Sequence, residues 1–144
     1  MVIDMHVHPI FYKTICDNKE ELEFRKDTFG VWKQGPMDWD EAFAEMDFGG
    51  IDKEALLPMD VTTAEGGWIV TNEQIAALKS RYPERLIGFA SVDPHRKDAA
   101  DVLIHAFDDL GLEGLKLHPS KQKFYPTDPC MEPIYEICES RNKP

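Results

Sequence analysis

Strand-like and helix-like patterns of hydrophobic positions alternate along this chain. Short apolar or alternating runs predict four strands, at Val2–His8, Glu54–Met59, Arg85–Val92 and Glu113–His118. Apolar residues at helical spacing follow each run and predict helices over residues 38–48, 71–82, 97–110 and 129–141. Strands that alternate with helices in this way are typical of parallel βα units, so the pattern predicts an α/β fold.

Four βα units are half of the eight that form a (β/α)8 TIM barrel, which usually needs about 250 residues. A complete doubly wound α/β domain is the rival interpretation, but its first loop is usually rich in glycine, and the first loop here reads HPIFYK. We therefore expect residues 1–144 to form the N-terminal half of a barrel. The long aromatic segment 9–37 is predicted to be a loop insertion after the first strand, with room for a short helix at Asn18–Asp27.

Charge and composition narrow the class of protein. A net charge of −11 argues against nucleic acid as a partner and against an anionic membrane surface. No apolar run approaches the roughly 20 residues that a membrane-spanning helix requires, and no secretory signal is visible. The three cysteines show no CxxC pairing. These features favour a reducing, cytoplasmic compartment.

The first strand carries the pattern Asp4-Met5-His6-Val7-His8. Strand alternation predicts that Asp4, His6 and His8 share one face, and that the other face, directed at helices, holds Ile3, Met5 and Val7. Residues i and i+2 lie about 6.6 Å apart on a strand, so both imidazoles can reach one zinc-like ion. His6 and His8 are the predicted metal ligands, and Asp4 is a predicted acceptor that orients a ligand. Two ordinary histidines near a strand end are the alternative.

The fourth predicted strand places Lys116 and His118 on one face and Leu115 and Leu117 on the other. If the leucines pack under helices, the lysine and the histidine point into the barrel. Burying a lysine ammonium group in a barrel costs free energy unless it is paired with an opposite charge. We predict that His118 is a catalytic residue that contacts substrate or metal, and that Lys116 binds a substrate carboxylate. Pairing of Lys116 with a buried acid such as Asp4 is the alternative.

The DxHxH strand resembles the opening of the amidohydrolase superfamily. The run Gly114-Leu115-Lys116-Leu117-His118-Pro119, followed by Gln122, Phe124, Pro126 and Asp128, is similar to its amidohydrolase-related branch. The resemblance extends from Val2 to Lys143 and implies a TIM barrel with one or two metal ions, usually zinc or manganese. In some branches a fourth-strand lysine is carboxylated and bridges two metals, which is a further possibility for Lys116.

The resemblance implies a metal-dependent hydrolase that attacks a small carboxylate or lactone with a metal-activated water. A non-oxidative carboxy-lyase or a hydratase on the same metal site is the alternative. Further family ligands follow the later strands and have no counterpart here, so an inactive truncated fragment is another alternative. A flavodoxin-like binding module would need a phosphate-cradling loop. Because a half barrel has two open edges, we expect a homo-oligomer or completion by a C-terminal half.

Overall fold

The computed structural model describes residues 1–144. Its strands are β1 (Ile3–Val7), β2 (Lys53–Leu56), β3 (Asp60–Val61), β4 (Gly67–Trp68) and β5 (Leu86–Gly88). Its α-helices are α1 (Lys19–Phe29), α2 (Trp39–Gly49), α3 (Thr62–Glu65), α4 (Asn72–Arg81), α5 (Ala99–Asp108), α6 (Pro119–Gln122) and α7 (Glu132–Ser140). Two short 3-10 helices cover Lys13–Ile15 and Pro129–Met131.

The main sheet is parallel and has the order β1-β2-β5. The predicted fourth strand lies beside the segment after β5, where Ala90 and Leu115 form a single parallel bridge. The N–H of Ala90 donates to the carbonyl of Gly114 at 2.7 Å, and the N–H of Lys116 donates to the carbonyl of Ala90 at 2.7 Å. Four parallel segments therefore lie in chain order, as in the first half of an open barrel, and the predicted fold class is confirmed.

The strands are shorter than their sequence patterns predict. The third strand was expected over Arg85–Val92, but β5 ends at Gly88, and polar side chains take over the backbone hydrogen bonding from Ser91 onward. The N–H of Ser91 donates to Oδ1 of Asn72 at 2.9 Å, and the N–H of Asp60 donates to Oγ of Ser91 at 3.2 Å. The predicted turn-rich stretch after β2 folds as a small antiparallel hairpin of β3 and β4.

Side-chain caps explain where several helices begin. Asn18 accepts from the backbone N–H groups of Glu20 and Glu21, so α1 starts inside the long segment after β1. Thr71 and Gln74 form a capping box at the start of α4. Helix α2 ends at Gly50, whose φ of 68° is a left-handed conformation that favours glycine.

The hydrophobic core lies between the sheet and the helices. Its buried aliphatic side chains include residues of β2, α4, β5, α5, the segment after α5, and α7: Leu56, Ile75, Leu78, Leu86, Leu103, Leu112 and Ile134. Helices α5 and α7 pack against each other beside this core. None of the helices combines the length and the apolar character that crossing a bilayer requires.

Exposure differs among the residues predicted to face helices. Val7, Leu115 and Leu117 pack against the core, as expected for that face. Ile3 and Met5, predicted on the same face, are 37% and 52% exposed. Both lie on β1, the edge strand of the sheet, which has β2 as its one neighbour.

Candidate metal and substrate site

His6 and His8 lie side by side at the end of β1. Their ring centroids are 5.2 Å apart and the rings meet edge to face, at an interplanar angle of 74°. His6 is exposed and His8 is partly buried. The two predicted metal ligands are therefore neighbours, at a spacing that suits two donors to one ion.

Asp4 holds the backbone just before these rings. Its Oδ1 accepts from the N–H of His6 at 2.9 Å, so the carboxylate bonds the strand rather than an imidazole. The register of β1 against β2 shifts between Asp4 and Val7, and this irregularity interrupts the strict alternation that the sequence suggested. Asp4 consequently stabilises the backbone conformation at the end of β1, where both histidines lie.

The ring of His8 is oriented by the end of the second strand. Its Nδ1 lies 2.9 Å from the carbonyl oxygen of Leu57, which can only accept, so Nδ1 carries the proton. The Nε2 lone pair of the neutral ring is left for another partner. A backbone carbonyl on the second ring nitrogen is the usual arrangement around a metal-binding histidine.

Burial lowers the pKa of His8 below its ordinary value, and the bond to Leu57 opposes that change. Charge on His6, Lys116 and His118 also lowers the pKa of His8. His8 is therefore predominantly neutral at pH 7, as a metal ligand must be. His8 follows β1 and His118 ends the fourth parallel segment, so both histidines lie at the carboxyl ends of the parallel segments.

Burial also lowers the pKa of Lys116, and no acidic neighbour contributes to this shift. The alternative in which Lys116 pairs with Asp4 is not found, since Asp4 is engaged by the backbone of His6. An ammonium group that is partly buried without a paired carboxylate is suited to an anionic ligand.

His118 is the N-cap residue of α6. Its Nδ1 lies 3.4 Å from the backbone N of Lys121, which donates to it, and 3.3 Å from Oγ of Ser120. Because Nδ1 accepts, the proton of the neutral ring sits on Nε2. His118 therefore presents an N–H donor, whereas His8 presents a lone pair.

A buried polar network lies beyond the strand ends, and sequence reasoning largely missed it. Asp60 is fully buried; its Oδ2 accepts from the N–H of Asp93 at 3.0 Å and from Arg96 at 3.4 Å, and its Oδ1 accepts from Thr62. Burial raises the pKa of Asp60, and these donors oppose the rise. Asp93 in turn accepts from the N–H of Thr63 at 2.8 Å. The network fixes the loops that follow β2 and β5.

The donor set fits part of a metal site. No group of three or more histidine, cysteine, aspartate or glutamate side chains is arranged to hold a metal ion. His6 and His8 would supply two ligands, and the proton on Nδ1 of His8 leaves the correct nitrogen available. Catalytic zinc sites usually have three protein ligands.

Comparisons with known proteins identify the family and support the fold. Residues 3–144 match the family model of the amidohydrolases. No curated protein matches the chain. The chain is similar to solved structures of TIM-barrel proteins, and it spans about half the length of each of the three described below.

The 5-carboxyvanillate decarboxylase from Sphingomonas paucimobilis has a TM-score of 0.68 and 19% identity, with 99% of this chain and 50% of that chain covered. The 4-oxalomesaconate hydratase from Rhodopseudomonas palustris has a TM-score of 0.66 and 20% identity, with 100% and 51% covered. The 5-carboxyvanillate decarboxylase from Novosphingobium aromaticivorans, which holds manganese, has a TM-score of 0.65 and 22% identity, with 100% and 49% covered.

Proposed function

Because this chain belongs to the amidohydrolase family, we propose that it supplies the N-terminal half of a metal-dependent enzyme acting on a small carboxylate or lactone. In this proposal His6 and His8 hold a divalent metal, zinc or manganese. Lys116 binds a carboxylate of the substrate, His118 donates a hydrogen bond to it, and Asp4 fixes the backbone under the metal ligands.

The observation that carries the proposal is the hydrogen bond between Nδ1 of His8 and the carbonyl of Leu57. It fixes the tautomer in which Nε2 carries an unused lone pair that can bind a metal ion. The centroid of a second imidazole lies 5.2 Å away. The bound metal would polarise the substrate and lower the pKa of a coordinated water. The roles of this chain are to hold that ion and to orient the substrate.

Lys116 and His118 supply the substrate contacts in this proposal. Lys116 offers a point charge that no side chain of the chain neutralises. His118 offers a directed Nε2–H, because its Nδ1 is used by the first turn of α6. A carboxylate between these groups would accept a charge-assisted bond from Lys116 and a directed bond from His118.

Hydrolysis is the reaction that we place first, and a carboxy-lyase or hydratase reaction on the same site is the second candidate. The second candidate is favoured by the decarboxylases and the hydratase among the similar structures. Two histidines are fewer than the three protein ligands of a typical catalytic zinc. Residues 1–144 alone are therefore expected to bind metal but to show little or no turnover of substrate.

Calorimetric titration with ZnCl2 or MnCl2 tests the metal assignment. We expect the His6→Ala/His8→Ala double variant to lose the binding heat of the wild-type chain. The matched control is His95→Ala/His105→Ala, which removes two histidines on other segments and should bind as wild type. Equal binding by a folded His6→Ala/His8→Ala variant would show that the assignment is wrong.

A further inference from the structure

Gln122, the last residue of α6, is fully buried although its side chain is polar. The backbone N–H of Gln122 donates to the carbonyl of His118 at 2.9 Å, which closes the single turn of the helix. The side chain therefore turns back toward the strand ends rather than toward solvent. A buried carboxamide is stable only if its hydrogen-bonding groups are satisfied.

Three backbone groups from three separate segments satisfy the Gln122 carboxamide. Nε2 donates to the carbonyl of Asp60 at 2.8 Å and to the carbonyl of Val92 at 2.9 Å. Oε1 accepts from the N–H of His118 at 2.7 Å. The segments after β2 and β5 and the end of the fourth predicted strand are thus joined at one side chain.

These bonds fix both backbone polar groups of His118. The N–H is held by the side chain of Gln122 and the carbonyl by its backbone. Helix α6 has four residues, which is too short to persist without such support. The cap that His118 makes with its Nδ1, and hence the direction of its Nε2–H, depends on this turn being formed.

We propose that Gln122 is the positioning residue that holds His118 at the edge formed by the carboxyl ends of the parallel segments, where the His6–His8 pair also lies. The proposal rests on the function proposed above, because it assigns His118 a role at that site. Gln122 acts through the backbone of His118 and touches neither substrate nor metal.

Asn72 provides a matched comparison. It is also a buried carboxamide, and it ties the backbone of Ser91 in both directions, accepting at 2.9 Å and donating at 3.0 Å. Asn72 makes no bond to His118. A variant of Asn72 therefore loosens the same polar region without releasing the histidine.

Amide hydrogen exchange measured by NMR on the 144-residue chain tests the proposal. We expect Gln122→Met to speed exchange at the His118 amide about tenfold, which is the loss of one buried hydrogen bond, while the Ser91 amide changes less. Asn72→Leu should speed exchange at the Ser91 amide and change exchange at the His118 amide less. If Gln122→Met does not fold, Gln122→Asn takes its place: it keeps a carboxamide that is one methylene too short to reach the N–H of His118, and it should speed exchange at that amide in the same way.

Manganese relaxation supplies the readout at the site. In the wild-type chain, Mn²⁺ should broaden the ring signals of His6, His8 and His118. In Gln122→Met the broadening should persist at His6 and His8 and fall at His118. No broadening at His6 and His8 would overturn the proposed metal site and leave the exchange result to decide the role of Gln122. Unchanged exchange at His118 in Gln122→Met, or equal loss in Asn72→Leu, would overturn that role.

Discussion

At the scale of single residues, the carboxylate of Asp4 connects strand geometry to the proposed metal site. Its bond to the N–H of His6 lies where the register of β1 against β2 shifts. An acceptor at this position stabilises the irregular backbone that brings the two imidazoles together. Asp4 therefore affects the proposed site through the backbone, although it contributes no bond to an imidazole.

We predict that Asp4→Ala lowers the affinity for Zn²⁺ or Mn²⁺ at least about tenfold, as is typical when a group that orients a ligand is lost. Asp4→Asn retains Oδ1 as an acceptor and is the matched control, with affinity close to wild type. Calorimetry on both variants measures the difference. An Asp4→Ala variant with wild-type affinity would show that the bond to His6 is irrelevant to the site.

Glu54 is partly buried and accepts from the hydroxyl of Tyr12 at 2.6 Å. Burial raises the pKa of Glu54 above its ordinary value of 4.5, and the Tyr12 bond opposes this. The folded chain thus binds this proton more tightly than the unfolded chain. The resulting stabilisation is complete below the ordinary value and is lost as the pH rises through the raised pKa.

We predict that Glu54→Gln gains stability relative to wild type as the pH rises from about 4 to about 7. Glutamine still accepts from Tyr12 but carries no charge that burial penalises. Urea unfolding at both pH values measures the difference, with Glu136→Gln, at an exposed position on α7, as the control. A constant offset between Glu54→Gln and wild type would contradict the argument.

At the scale of elements, a buried arginine holds the inserted helix α1 against α4. Arg25 is 1% exposed and donates to the carbonyl of Ile15 at 2.8 Å, to Glu21 at 2.9 Å and to Gln74 at 3.0 Å. Gln74 belongs to the capping box that starts α4. The segment 9–37 is therefore fastened to the second βα unit through a helix cap.

We predict that Arg25→Met lowers the free energy of unfolding by about 3 kcal/mol, because it leaves buried acceptors without their donor. Lys19→Met, at the exposed first turn of the same helix, should change it by less than about 0.5 kcal/mol. Chemical denaturation gives both values. Equal effects of the two substitutions would show that the hydrogen bonds of Arg25 do not contribute to the free energy of unfolding.

Hydrophobic periodicity located all four βα units because it reports which side chains face the core, as at Leu56, Leu86 and Leu103. It also placed His6 and His8 together. It did not give the strand ends or the polar network, since these depend on contacts across the chain. Gln122 and Asp60 are 62 positions apart, and Asn72 and Ser91 are 19 apart. No local pattern encodes such partners.

At the scale of the whole molecule, the sheet has two incomplete edges. Strand β1 has β2 as its one neighbour, and its Ile3 and Met5 are exposed. At the other edge, the N–H of Leu115 donates to the carbonyl of Pro144 at 2.8 Å. Exposed strand edges with apolar side chains promote association.

We predict that residues 1–144 self-associate, or associate with a C-terminal half, through these edges. Light scattering should show a mass that rises with concentration, and Ile3→Lys/Met5→Lys should reduce it by placing charge on the β1 edge. Phe48→Lys is the control, since Phe48 is 97% exposed on α2. A monomer that unfolds sharply at all concentrations would contradict the open half barrel.

The bond between His8 and Leu57 has a thermodynamic consequence. It joins an imidazole just after β1 to the backbone at the end of β2, so the arrangement proposed to bind an ion is also an arrangement of two paired strands. Under this proposal, ion binding and strand pairing strengthen each other by the same free energy. In a sheet where β1 has one neighbour, the proposed ion would act as a folding ligand. A low apparent affinity for the ion would then reflect the free energy needed to pair β1 with β2 as well as the strength of the bonds from the ligands.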